Sequence, residues 1–381
     1  MILGETSNWC FPYFLVMFKN QSYKSFKENL DFVRSCSNWG ELDKLSKTIN
    51  QKFLLNSKYK SKLRAVEKKM NVILCDDSWM GHCAKYQLHS GGKRLRALLA
   101  LIAADIFKIS HESAIYAAVC CEFIHNASLI HDDLQDRDLL RRGLPTIWNR
   151  FGDHTAINLG DYFIAGSFEA LSKIKGNPEN KCKAIEHLSY TIQQTLKGQS
   201  LEILERSNLN LRMEEYESTA KAKTGGLICW PIKLIMILNG EKNIDEFDFN
   251  PLYEAGLAYQ IQDDLSDFLG IKDRGLPGRD LKEGKMNVLI MHFLETATSG
   301  ERFLLKEFFT KKSESISEDD ILNWIKIIKS KGIIEKSIEH LIKVSKKAIK
   351  KSRQVSNGLN KITEFVILNI LLRISDKIKV K

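Results

Sequence analysis

Proline is scarce in this sequence, with 6 among 381 residues. So few breakers exclude collagenous and Pro-rich chains and favour long uninterrupted helices. No segment reaches the roughly 18–20 apolar residues that span a bilayer. The apolar patch from Trp9 to Phe18 lacks a basic flank, which speaks against a secretory signal. None of the eight cysteines sits in a C-x-x-C pair, and no His/Cys group has zinc spacing. Scattered reduced thiols fit a reducing compartment, so a cytoplasmic protein is expected. Strand alternation and β-α-β rhythm are missing as well. No repeat, low-complexity tract or long Pro/Gly/Ser linker divides the chain.

What is present begins with charge. Lys and Arg number 57 against 47 Asp and Glu, a net +10, which by itself suggests a nucleic-acid binder. The placement of those charges removes that reading. Residues 321–381 hold 15 Lys/Arg and 4 Asp/Glu, so the other 320 residues sum to −1. The body is balanced, and no nucleic-acid partner is expected. The basic end reads as a solvated amphipathic helix. Peripheral attraction to an anionic membrane surface is the sharper reading of it.

Apolar residues make up 44%, enough for a sizeable core. Leu95, Leu98, Leu99, Ile102 and Ile106 recur at spacings of three and four, which draws one helical stripe. Runs over 114–130, 156–171, 192–204, 226–238 and 253–268 behave likewise. The fold class is therefore all-α, with one large catalytic domain over 86–350. Residues 1–85 form an N-terminal helical extension, with a Lys-rich surface helix over 53–70. Residues 351–381 form a basic helical tail.

Chemistry enters at Asp132-Asp133-Leu134-Gln135-Asp136 and again at Asp263-Asp264-Leu265-Ser266-Asp267. Both are D-D-x-x-D, and both close a long apolar helix. Positions i and i+4 share a helix face, so Asp132 pairs with Asp136 and Asp263 with Asp267. Carboxylates one turn apart repel unless a cation lies between them. Oxygen-only ligands of this kind suit Mg²⁺ with phosphates and waters. A single such motif would read as a solvated helix end; two make that reading poor.

Basic clusters surround the acidic ones. Gly91-Gly92-Lys93-Arg94-Leu95-Arg96 places three cations at a helix start, an anion-binding arrangement. Arg141-Arg142-Gly143, Lys223-Thr224-Gly225-Gly226 and the 280–285 segment ending at Lys285 follow. Together they describe diphosphates held by metal on one side and by Lys and Arg on the other. The walls between are apolar, so the ligand has a diphosphate head and a hydrocarbon tail.

These residues resemble the trans-isoprenyl diphosphate synthases, or polyprenyl synthetases. The resemblance runs in order from about Gly91 to about Leu294. It is carried by GGKRLRALL, FIHNASLIHDDLQDRDLLRRGLPT, GQSLEI, AKTGGL, YQIQDDLSDFLG and GRDLKEGKMN. It implies a single bundle of long helices around a deep central cavity, usually as a homodimer. It implies that isopentenyl diphosphate binds Lys93, Arg96, His125 and Arg142. It implies that the allylic diphosphate meets Arg141, Gln199, Lys223, Thr224, Gln260 and Lys285. Asp132, Asp133, Asp136, Asp263, Asp264 and Asp267 would hold two or three Mg²⁺ ions. Catalysis would rest on Asp132 and Asp263, with Lys223 and Thr224 stabilising an allylic cation through lone-pair and carbonyl dipoles. A terpene cyclase or a peptide or small-molecule isoprenyltransferase of the same fold stays open, although the full isopentenyl set argues against it. A non-catalytic subunit would be expected to have lost an acidic motif.

Several positions depart from the family pattern. Ala97 stands where proline is common, Glu202 where aspartate is usual, Asn287 where a threonine is usual, and Leu289 where a proline is usual. The metal carboxylates are untouched, so an altered substrate is a better reading than a dead enzyme. Ala127 and Ser128, five and four residues before the first motif, are small. By the resemblance that leaves the cavity floor open, unless Phe123 forms a lower one, and the expected product is geranylgeranyl diphosphate or longer.

Overall fold

The computed structural model describes residues 57–270, 277–312, 315–355 and 357–378. The Trp9–Phe18 patch lies outside them. Helices α1 (Ser57–Leu74), α2 (Trp79–His89), α3 (Leu95–Ile106) and α4 (His111–Gln135) open the bundle. A two-stranded hairpin follows, β1 (Leu140–Arg141) and β2 (Leu144–Pro145), then α5 (Ile147–Phe151), α6 (Asp153–Ser172) and α7 (Pro178–Leu204). Next come α8 (Met213–Ala220), a π-helical turn (Lys221–Gly225), α9 (Gly226–Leu238) and α10 (Asn250–Phe268). The chain ends with α11 (Arg279–Lys282), α12 (Val288–Thr296), α13 (Ser299–Thr310), α14 (Glu318–Ser330), α15 (Ile333–Ser352) and α16 (Asn357–Ile378). The all-α expectation holds.

Local chemistry sets the helix ends. Ser110, Asn177 and Asn287 cap α4, α7 and α12 by accepting from a backbone N–H of the first turn, which satisfies donors that a helix start leaves over. The hairpin turns on Arg142 (φ +57°) and Gly143 (φ +78°). Two consecutive positive φ values are what a tight two-residue hairpin requires.

Helix α4 lies at the centre, against α1, α3, α6 and α9. It is long and apolar enough to cross a membrane, but 78% of its apolar window is buried inside the protein, so it is the core helix of the bundle. The π turn packs on α10 so closely that a Cβ on Gly256 would lie 2.2 Å from the Gly225 Cα. Only glycine permits that approach, and it presses the turn carrying Lys223 and Thr224 against the second acidic helix.

Two surface expectations change. Helix α1 is amphipathic: Tyr59, Leu63, Val66, Met70 and Leu74 are buried against α3, α4 and α6. Tyr59 and Lys62 fix it by hydrogen bonds of 2.8 and 2.6 Å to Asp105. The C-terminal helix is not a solvated end either. Leu359, Ile362, Phe365, Val366, Ile367, Leu368, Ile370 and Leu371 of α16 are buried against α3, α10 and α15. The cations of the basic end are concentrated on its neighbour, where Lys343, Lys347 and Lys350 of α15 are exposed. Net charge revealed the excess of cations, but it carried no information on which helix buries its apolar face.

Candidate active site

One cavity of about 440 Å³ lies between α3, α4, α7, the π turn and α10. Lys93 and Arg96 reach it from the start of α3, and His125, Asp132 and Asp136 from α4 and its end. The hairpin adds Arg141 and Arg142, and α7 adds Gln199. Lys223 and Thr224 come from the π turn, Gln260, Asp263 and Asp264 from α10, and Lys285 from the loop before α12. Of the sequence-predicted set, Asp133 and Asp267 are not on the wall. Asp133 is buried and gripped by Arg141, whose Nε lies 2.8 and 2.7 Å from its two oxygens and whose Nη2 lies 2.5 Å from one. Asp267 is buried and accepts from the Asp280 N–H at 3.0 Å.

The cations of the first basic motif divide. Arg94 turns into the protein, with 3.2 Å to Glu67, 3.9 Å to Glu122 and 3.0 Å to the Leu88 carbonyl. Arg96 faces the cavity and lies 3.3 Å from His125 Nε2. Burial, with Arg96 and Arg142 nearby, holds the His125 pKa well below its usual value, so the ring is neutral. An arginine can only donate, so Nε2 accepts and the ring proton sits on Nδ1. That Nδ1 and the Arg96 Nε are both buried without a hydrogen-bond partner. Two unpartnered donors beside a cavity fit an anionic ligand.

Each carboxylate on the wall has its own environment. Burial raises Asp132, and Lys223, 3.8 Å away, opposes the rise. Burial also acts to raise Asp136, but Lys285 at 2.6 Å and a close Arg206 contact outweigh it and hold the group at about 2. Asp264 is pushed up to about 7 by burial and the neighbouring Asp280. It accepts from Tyr216 (2.7 Å), Gln260 (2.8 Å) and the Val288 N–H (3.0 Å). Burial disfavours the Lys223 charge, yet Asp132 and Glu202 raise its pKa. Lys223 is therefore an ammonium without a free lone pair, which corrects the lone-pair role expected for it. Thr224 donates to Gln260 at 2.8 Å.

The donors fit a hard divalent cation, since Asp132, Asp136, Asp263 and Asp264 offer oxygen only. Among the described residues no three acidic, His or Cys side chains converge on one point. Lysine and arginine hold the carboxylates of the first motif, occupying there the charge complement that ions would supply.

The departures have local reasons. The Ala97 N–H donates to buried Glu122 at 3.0 Å, a bond that proline could not make. The longer arm of Glu202 reaches Lys223, at 3.1 and 3.2 Å. Asn287 accepts from the Ile290 N–H at 3.1 Å and so caps α12. Ser128 lies on the cavity wall. Phe123 is not on it; buried, it packs edge-on against Phe163 with ring centroids 5.6 Å apart. Arg206, Tyr216 and Arg279 were not legible in the sequence, because each acts through a partner that is distant along the chain.

The sequence model of the family described as polyprenyl synthetase matches residues 77–326. A short chain isoprenyl diphosphate synthase of Methanocaldococcus jannaschii is 32% identical over 274 residues, 71% of this chain and 82% of that protein. A geranylgeranyl diphosphate synthase of Saccharolobus solfataricus is 35% identical over 239 residues, 60% of this chain and 70% of that protein. The structure of a geranylgeranyl pyrophosphate synthetase of Geoglobus acetivorans superimposes with a TM-score of 0.69 at 27% identity. That superposition covers 82% of this chain and 98% of the other.

Proposed function

The chain belongs to the polyprenyl synthetase family, and on that premise we propose that it condenses isopentenyl diphosphate with an allylic diphosphate, head to tail and trans, to give geranylgeranyl diphosphate or a longer product. The observation that carries the reading is that one cavity gathers both acidic motifs and the basic set. Lys93, Arg96, His125 and Arg142 take the isopentenyl diphosphate, with the buried His125 Nδ1 and Arg96 Nε as waiting donors. Arg141, Gln199, Lys223, Thr224, Gln260 and Lys285 take the allylic diphosphate. Asp132, Asp136, Asp263 and Asp264 hold the metal, while Asp133 and Asp267 stand behind them.

Two or three bound Mg²⁺ ions would neutralise charge on the departing diphosphate. The chain's own ammonium and guanidinium groups add to that from fixed positions. The apolar side chains on the wall, Leu129, Leu211 and Leu227 among them, help to keep water from the allylic cation. The Thr224 hydroxyl oxygen and nearby carbonyl dipoles favour the positive charge. The isopentenyl double bond attacks, and the departing diphosphate removes the final proton, so no side-chain base is needed. A cyclase of the same fold would have no use for the four isopentenyl-binding groups.

Ser128 on the wall and Phe123 away from it support a product of C20 or longer. Exposed Ile157 on α6 and Ile185, Tyr190 and Leu196 on α7 suit a homodimer contact. The exposed lysines of α15 suit peripheral contact with an anionic membrane. The six described cysteines are free thiols, in keeping with a cytoplasmic location. The test is incubation with Mg²⁺, farnesyl diphosphate and isopentenyl diphosphate, followed by resolution of the dephosphorylated products. A C20 alcohol is expected, and no chain beyond C15 overturns the product reading.

A further inference from the structure

We infer that Arg279 is a positioning residue for the allylic diphosphate: it clamps α11 onto Asp138 and so sets Lys285 against the first acidic motif. The inference rests on the function proposed above.

Lys285 is a point charge on a flexible four-carbon arm, which does not fix itself. Here it is held from two sides, 2.6 Å from Asp136 and 2.9 Å from Glu283. Glu283 is held in turn by Arg279, whose Nε donates to it at 2.8 Å. The other arm of the same guanidinium, Nη2, makes a close ion pair with Asp138. Asp138 lies 3.9 Å from Arg141 Nη2, and Arg141 grips Asp133. The result is a chain of alternating charge, Asp133–Arg141–Asp138–Arg279–Glu283–Lys285–Asp136. It begins and ends in the first acidic motif, yet passes through the turn that follows the second.

Burial gives this chain weight. Side-chain exposure is 3% for Asp138, 8% for Glu283, 17% for Lys285 and 19% for Arg279. Exposed pairs contribute little, whereas breaking a buried pair strands a charge. Arg279 is the one member that faces both loops. A planar guanidinium can serve two carboxylates at once in fixed directions; a lysine in its place keeps the charge and loses the fork. Without Arg279, Asp138 loses its close ion pair and Glu283 the bond that ties it to α11, so Lys285 and Glu283 are no longer anchored to the first loop. The isopentenyl-binding groups Lys93, Arg96 and His125 share no member of the chain, so the effect is confined to one substrate.

The test is steady-state kinetics on wild type, R279Q, R279K, D138N and the R279Q/D138N double variant, with thermal melting of each. Orienting partners of a site typically contribute 10- to 100-fold, so R279Q is expected to raise the KM for farnesyl diphosphate about tenfold and leave that for isopentenyl diphosphate within about twofold. R279K, which retains the charge if R279Q folds poorly, is expected to shift the same constant by less. The double variant is expected to be no worse than R279Q, because both groups act through one contact. An equal rise in both KM values, unchanged values in folded R279Q, or additive losses in the double variant overturn the inference. A wild-type protein that makes no prenyl product overturns the proposed function as well, which separates the two failures.

Discussion

Lys285 Nζ lies 2.6 Å from Asp136 Oδ2, although 149 residues separate them in the chain. Arg206 holds the other oxygen of the same carboxylate. The last aspartate of the first motif is thus ionised and fully engaged before any metal arrives. On the proposed function, a metal using Asp136 would have to displace Lys285 and Arg206, and a bound diphosphate would draw those same cations, so the two binding events would be linked.

Asp132→Asn and Asp263→Asn are expected to lower kcat by about a thousandfold each, the scale of losing a charge-stabilising group in a closed site. Urea unfolding should change far less than turnover, since each substitution keeps the side-chain volume and removes only a charge. A radiolabelled product assay beside a denaturation curve checks both halves. Near-wild-type turnover in either variant contradicts the metal assignment.

Gly256→Ala tests the contact between α10 and the π turn. The added Cβ would meet the Gly225 Cα at 2.2 Å, so the turn must shift. Overpacking of this kind costs about 1–3 kcal/mol. The same shift displaces Lys223 and Thr224, so activity should fall together with the urea midpoint.

Glu217 supplies a pH dependence away from the metal carboxylates. The hydrogen bond from His340 holds its pKa down at about 2, from an ordinary 4.5, and the contact is 3.2 Å. A carboxylate depressed in the folded state contributes stability above its unfolded pKa, and that contribution is lost as pH falls through the folded value. Stability should therefore drop between about pH 4.5 and 2. Glu217→Gln should flatten that part of the curve, measured as melting temperature against pH.

Ser128→Phe places an aromatic ring on the cavity wall one turn below Asp132. The expected result is a shift of product from C20 to C15 with turnover retained. Chromatography of dephosphorylated products reads it directly, and an unchanged C20 peak counts against Ser128 as part of the floor.

Charge reversal at Lys343 and Lys350 tests the membrane reading without disturbing buried α16. Each lysine near an anionic surface contributes about 1 kcal/mol, so the double Glu variant should lose vesicle co-sedimentation at low salt. Binding that is unchanged removes the idea.

Much of the site could be read from the order of residues. Two D-D-x-x-D motifs, each closing an apolar helix, named the carboxylates, and the flanking Lys and Arg named the anion. Spacing of three and four named the helices. These signals are local, and a local signal survives without coordinates. The resemblance took Arg96 and left out Arg94, but spacing alone could not divide them, because two residues of rotation decide between Glu67 and His125. It could not place α16, because a helix that is apolar and basic at once takes its buried face from whichever neighbour it meets. The partners of Lys223, the standing of Asp133 behind Arg141, and the clamp made by Arg279 were likewise decided only in three dimensions. Each depends on burial and on a partner from another helix, and neither is a property of the sequence neighbourhood. The sequence by itself determined which groups the protein would use; the tertiary structure decided which of them face the substrate and which hold the others still.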